Sequence, residues 1–239
     1  MIALIDYGAG NLTSVRKALT ALGADFATPT RPEECARCSA LIVPGVGHFA
    51  ATSALVGAWR DTIAEMASGG TPLLGICLGM QWLFEGSDEA PEIAGLGVLE
   101  GRVTRLRGNP EAGLKIPHVG WNALGFRGPT ASAPRRQDDR PDATRNGADP
   151  SGPRSRILAG LENGAHVYFT HSYAAPVTDA CVAATTHGET FAAVVERGNV
   201  FGVQFHPEKS SDAGLRIIEN FLEVTRNVST GARRAEAQC

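Results

Sequence analysis

No stretch of the chain approaches the roughly 20 apolar residues that a bilayer-spanning helix needs, so no membrane role is expected. A basic excess is missing as well. The 22 Lys and Arg face 25 Asp and Glu, a net charge of -3, which leaves nucleic acid and anionic surfaces without an electrostatic footprint. The opening MIALIDYGAG has no basic segment ahead of an apolar one and does not read as a secretory leader. Five scattered cysteines (Cys35, Cys38, Cys77, Cys181 and Cys239) make no even framework, which suits free thiols in a reducing cytoplasm. The pair Cys35-x-x-Cys38 has no second pair of ligands at zinc spacing. It also precedes a strand, where a redox pair would follow one, so it reads as two packing thiols.

Another lack marks the middle of the chain. Residues 127–156 contain no Val, Ile, Leu, Met or aromatic residue but five prolines. Such a segment cannot bury enough apolar surface to offset its ordering entropy, and it is expected to be a disordered insertion. Cys239, in a loose tail over 226–239, is expected to be an exposed thiol without a role.

What the sequence has is alternation. MIALID, ALIVPG (40–45) and PLLGIC (72–77) are short continuous apolar runs, each followed by a helical pattern. Asn11 is placed to cap a helix carrying Leu12, Val15, Leu19 and Leu22 on one face, with Gly23 ending it. A second helix is expected around 54–67 with Gly69-Gly70 as its stop, and a third from LGMQWLFEG. Strands separated by helices predict an α/β fold with a mostly parallel sheet covered on both faces. The later segments 166–175, 181–188, 190–198 and 199–207 read as strands with little helix between them. Arg197-Gly198-Asn199 makes a tight antiparallel hairpin. A last helix starts near Asp212 with Leu215, Ile218, Phe221 and Leu222 as its stripe.

Cys77 stands between two glycines in Gly75-Ile76-Cys77-Leu78-Gly79, where a strand gives way to a helix. That spacing matches a nucleophile elbow, in which side chains at the flanking positions would collide. The helix N-terminus favours thiolate over thiol, and the Leu78 amide is placed to hold an oxyanion. On the pentapeptide alone, a nucleophile and a core cysteine stand level. His206 tips the balance. In VQFHPEKS it ends an apolar strand with Glu208 two residues on, so the carboxylate can accept from one ring nitrogen while the other faces a thiol. Parallel sheets gather their sites at strand carboxyl ends, where Cys77 and His206 both fall.

GICLGMQ and the late FHPE resemble the class I glutamine amidotransferases, which release ammonia from glutamine through a Cys–His–Glu triad. DYGAGN (6–11), PGVGHF (44–49) and PHVGWN (117–122) resemble in particular the glutaminase subunits of imidazole glycerol phosphate synthase, of histidine biosynthesis. The resemblance covers roughly residues 1–126 and 157–225 with all motifs in order. It implies a flavodoxin-like amidotransferase fold, one domain over 1–225 interrupted by the insertion. By position it implies Cys77 as nucleophile, His206 as base and Glu208 as its orienter. Leu78 and Val46 would be the oxyanion donors, the latter only after the Gly45–Val46 peptide reorients, which Gly45 and Gly47 make sterically possible. Gln81 and Glu89 match positions that hold the amino-acid end of glutamine, and His171, Ser172 and Tyr173 would line the pocket. Asn11, His118 and Trp121 would face a (β/α)8 cyclase partner in a heterodimer, into which ammonia passes.

The resemblance implies no metal and no organic cofactor. His48, His166 and His187 are assigned to structure. YGAGN is no dinucleotide loop, because the third glycine of such a motif would fall at Thr13. Three other readings stand beside this one. The first is the glutaminase of another synthase, such as that of pyridoxal phosphate, against which PGVGHF and PHVGWN argue. The second is a cysteine hydrolase of the same architecture acting alone. The third is a non-catalytic regulatory subunit, against which the intact Cys77, His206 and Glu208 argue.

Overall fold

The computed structural model of the chain describes residues 1–10, 12–108, 113–127 and 155–236. The expected cap at Asn11, Cys239 and residues 128–154 of the expected insertion lie outside them. The apolar runs become the strands Ile2–Leu4, Ala40–Gly45 and Leu73–Cys77, buried at every residue. Their side chains divide between two faces. Leu4, Ile42, Leu74 and Ile76 join one apolar cluster, while Ala3, Leu41, Val43 and Leu73 join the other. This is the period-2 division of a strand covered on both sides.

Among the described residues the main sheet has eight strands. From edge to edge they are Phe26–Ala27, Ile2–Leu4, Ala40–Gly45, Leu73–Cys77, Val200–Val203, Glu189–Arg197, Cys181–His187 and Gly125–Phe126. The first five run parallel and the rest antiparallel. The switch is made by the expected hairpin, in which Arg197 pairs with Val200 and Gly198 takes φ 60°. The helices Leu12–Ala21 and Ser211–Glu236 pack on one face of the sheet, and Ala58–Ser68 on the other. Because Leu73–Cys77 and Val200–Val203 are adjacent parallel neighbours, the residues just beyond their carboxyl ends meet.

Four expectations need correction. The helix placed at 54–67 is a 3-10 turn over Phe49–Leu55 followed by the α-helix Ala58–Ser68, because Gly57 takes φ 64° between them. The strand expected over 166–175 is two. His166–His171 pairs with His118–Ala123 in its own two-stranded sheet, and Tyr173–Ala174 joins a sheet with Arg102–Arg105, Gly86–Ser87 and Ala90–Ala94. The tail expected to be loose from 226 continues the last helix to Glu236, where Val228 still packs against the core and Ala, Arg and Glu favour the helix.

The insertion drawn over 127–156 is also too wide at both ends. The Arg127 amide bonds the Val182 carbonyl, Ser155 is buried, and Arg156 is an anchor. Its guanidinium pairs with Glu196 at 2.9 Å, donates to Asn199 at 3.0 Å and to the Gly198 carbonyl, and lies 4.7 Å over the Phe201 ring. A charged residue holding the hairpin through its planar fork leaves no hydrophobic mark in the sequence.

Candidate active site

Cys77 ends its strand with φ 52° and ψ -108°, a strained conformation for a residue with a side chain. The flanking glycines explain how the turn closes. A Cβ at Gly75 would lie 2.7 Å from the Gly79 carbonyl oxygen and from the Met80 nitrogen, across the turn. A Cβ at Gly79 would overlap the Val43 carbonyl of the neighbouring strand, so this second glycine serves the sheet rather than the turn. The helix Leu78–Trp82 follows at once, and the Leu78 amide is among its first-turn donors without a helical acceptor.

His206 follows the strand Val200–Val203 and caps the 3-10 turn Pro207–Lys209. Its Nδ1 donates to Glu208 Oε1 at 2.8 Å, with both side chains almost fully buried. The backbone around it is braced. The His206 amide bonds the Tyr168 carbonyl at 3.0 Å, and the Ser210 hydroxyl bonds the His206 carbonyl at 2.7 Å. Among the described residues Nε2 makes no well-aligned hydrogen bond, yet it lies near enough to Cys77 for the thiol to act on its basicity. A histidine and a thiol so placed can act as base and nucleophile, and such contacts are commonly loose before substrate arrives. Burial disfavours the charged ring, but Cys77 and Glu208 together outweigh it and push His206 up to about 10.

The sign of this shift gives a test. The stability His206 contributes is fully present below its ordinary value of about 6.5 and is lost as pH rises through about 10. The melting-temperature advantage of the wild-type protein over His206→Gln is therefore expected to shrink steadily between pH 7 and 10. Thermal scans across that range check it, and a constant difference would count against a charged His206.

Around Cys77 opens a cleft of about 330 Å³ lined by Val46, Gly47, Leu78, Gln81, Glu89, Pro117, Thr170, His171, Ser172 and Tyr173. It gathers all the residues expected at the substrate except Gly45, which lies at the end of the neighbouring strand with its register partner Cys77. Gly47 has φ 98°, which only glycine adopts freely. The Val46 amide donates to the Ala9 carbonyl at 3.1 Å and so is committed to the 6–10 loop.

Gln81 is buried, and its amide nitrogen bonds the Tyr173 carbonyl at 2.8 Å and Gln204 Oε1 at 3.1 Å. What it can offer a ligand is its oxygen. Glu89 accepts the Phe49 amide at 2.7 Å and remains part-exposed at the cleft, a carboxylate suited to an ammonium group. Two residues escaped the sequence reading. Buried Gln204 reaches toward Cys77 Sγ at 3.8 Å, two residues before His206, a spacing that could have marked it. Tyr7 carries a sealed hydroxyl beside Gly45.

The histidines behind the cleft form a neutral relay. His171 Nδ1 donates to the Tyr173 carbonyl at 2.9 Å, His118 Nδ1 to His171 Nε2 at 3.1 Å, and Asn122 to His118 Nε2 at 3.3 Å, the tautomers being set by this order. Burial, then the neighbouring imidazoles, lowers His118 to about 3. Burial likewise lowers His171 to about 4. His118 is 3% exposed and so is not an interface side chain, contrary to expectation. On the strand His118–Ala123, residues three apart face opposite sides, so His118 points inward while Val119 and Trp121 stay exposed. Asn11 lies outside the described residues. Cys35, Cys38 and Cys181 are buried free thiols whose acidity burial weakens, as packing residues would be. Among the described residues no helix is long and apolar enough to cross a membrane, and no cluster of metal-ligating side chains occurs.

The model of one family, glutamine amidotransferase class-I, matches residues 3–224, and the chain belongs to that family. Within it the chain is similar to one kind of subunit. It is 42% identical over 234 residues to imidazole glycerol phosphate synthase subunit HisH of Moorella thermoacetica, an alignment covering 95% of this chain and 96% of that protein. It is also 42% identical over 243 residues to the same-named subunit of Gloeobacter violaceus, covering 100% of this chain and 95% of that one. A crystal structure of a glutamine amidotransferase matches with TM-score 0.65 at 20% identity, over 94% of this chain and 99% of that one, a likeness of fold.

Proposed function

We propose that the chain hydrolyses glutamine to glutamate and ammonia and hands the ammonia to a cyclase subunit, which makes imidazole glycerol phosphate and an aminoimidazole carboxamide ribonucleotide in histidine biosynthesis. The observation that carries this reading is the buried His206–Glu208 pair set beside Cys77 at adjacent strand ends, with the cleft in front. The similarity to the HisH subunits supports the particular pathway.

The steps follow from the residues. His206 Nε2, basic enough to be charged beside Cys77, holds the thiol's proton, and Glu208 keeps the other ring nitrogen protonated and facing inward. The Cys77 thiolate adds to the side-chain amide carbon, and the negative oxygen is met by the Leu78 amide. It is also met by the Val46 amide, once that group has turned from Ala9. The tetrahedral centre collapses as His206 returns the proton to the departing ammonia. Water, deprotonated by His206, then splits the thioester and frees glutamate. Glu89 and the Gln81 oxygen hold the amino-acid end.

In water at neutral pH, ammonia would be protonated and lose its nucleophilicity, so the reading includes a (β/α)8 partner docked as a heterodimer. Val119 and Trp121, at 57% and 52% exposure, are apolar groups open to such a contact. The test is glutamate release by the purified chain alone and with the cyclase subunit plus its nucleotide ligand. Low turnover alone with a large rise in the complex supports the reading. Full turnover alone points to an independent hydrolase, and none in either setting removes the reading.

A further inference from the structure

We infer that Tyr7 is a positioning residue whose hydroxyl receives the Gly45 carbonyl when the Gly45–Val46 peptide turns over. The inference rests on the switched-peptide reading above and adds the group that stabilises its other state.

A peptide that rotates exchanges the directions of its N–H and its C=O. At present the Val46 N–H is satisfied by the Ala9 carbonyl. Once that amide swings toward the cleft, the Gly45 carbonyl swings toward the loop it left, where the Ala9 carbonyl faces it. Two facing acceptors repel, and an acceptor buried without a donor is costly to the turned state. A donor is needed on that side.

Tyr7, two residues before Ala9 on the same loop, is that donor. A Cβ built on Gly45 would overlap the Tyr7 hydroxyl oxygen and lie 2.9 Å from Leu78 Cβ, so the hydroxyl rests directly over the Gly45 Cα. The oxygen is sealed from solvent and, among the described residues, has no hydrogen-bond partner. A buried hydroxyl without a partner is rare and calls for a reason, and a partner present only in the second state supplies one. Burial, and after it the charge at Cys77, holds the phenol well above its usual ionisation range, so it keeps its proton. Glycine at 45 is required by the same contact, since any side chain would displace the hydroxyl.

The effect should fall unequally on two states. Tyr7→Phe keeps the ring and removes only the donor, at a cost to the turned state of about tenfold in population. Where that state is a small minority, in the chain without partner, glutamine turnover should drop about tenfold with KM unchanged. In the complex with cyclase subunit and nucleotide ligand, which populate the turned state, the drop should be several-fold smaller. A merely structural defect would lower both rates equally. The measurement is glutamate release by both proteins in both settings. Inactivation of Cys77 by 6-diazo-5-oxo-L-norleucine serves as the second readout where turnover without partner is too slow to follow. Equal losses in the two settings, or no loss in either, overturn the assignment to Tyr7. Absence of any partner-induced rise in the wild-type protein would instead overturn the switched-peptide reading itself.

Discussion

Cys77→Ala is expected to lower glutamine-dependent synthesis by the assembled enzyme by roughly four orders of magnitude or more, since the attacking atom is gone and only binding and oxyanion donors remain. Synthesis from added ammonia should stay near wild-type, because that route bypasses this chain's chemistry. The two assays together separate a nucleophile from a scaffold residue. Alanine has the same Cβ as cysteine and meets the same φ of 52°, so the elbow's strain is retained and the fold is not asked to change. Stability should shift by no more than about 1 kcal/mol, as expected for removing one sulfur from a largely buried site lined by polar groups. Parallel loss of both activities would mean that Cys77 supports the fold or the docking surface.

The Cys77 turn and the His206–Glu208 pair were legible because they are written in short, local signals. A glycine on either side of a residue two positions away, and a carboxylate two positions after a histidine, survive in the sequence whatever the tertiary context. The buried strands were legible for a similar reason, since Leu73–Cys77 and Ala40–Gly45 are apolar without interruption.

What escaped depends on partners far along the chain. The Gln81–Gln204–Cys77 contacts join residues more than a hundred positions apart, and only the adjacency of two parallel strands brings them together. Tyr7 carries no mark in the sequence, because what its hydroxyl meets depends on the distant Gly45. His118 was misplaced because a motif match treats PHVGWN as one surface, whereas the pleat of its strand sends His118 and Trp121 to opposite sides. Arg156 vanished into a polar segment because its ion pair, hydrogen bonds and ring contact leave no apolar pattern. Short strands such as Gly86–Ser87 and Tyr173–Ala174 carry two residues each, too few for any period to show.

Val46→Pro is the sharpest probe of the loop, because it deletes a backbone donor that no side-chain change can reach. The Val46 amide has two candidate acceptors. One is the Ala9 carbonyl, which it holds at 3.1 Å, and the other is the oxyanion that forms only in the cleft. Proline removes both bonds. Losing the first should cost the resting chain about 1 kcal/mol of stability. Losing the second should lower glutamine turnover in the complex by about 10²–10³-fold, and the ligand-loaded partner should no longer raise the rate. Val46→Ala, which keeps the amide, is expected to behave as wild-type within a few-fold, so the contrast isolates the N–H from the side chain. Ammonia-dependent synthesis and the rate of Cys77 alkylation by iodoacetamide report whether docking and the pocket survive the proline. If both survive and stimulation survives with them, Val46 is not the second donor, and the peptide's attachment to Ala9 is a loop contact without a catalytic consequence. If stimulation alone is lost, the partner's influence on the chemistry passes through this one amide. The loop at 6–10 then governs catalysis by holding the Val46 amide away from the oxyanion.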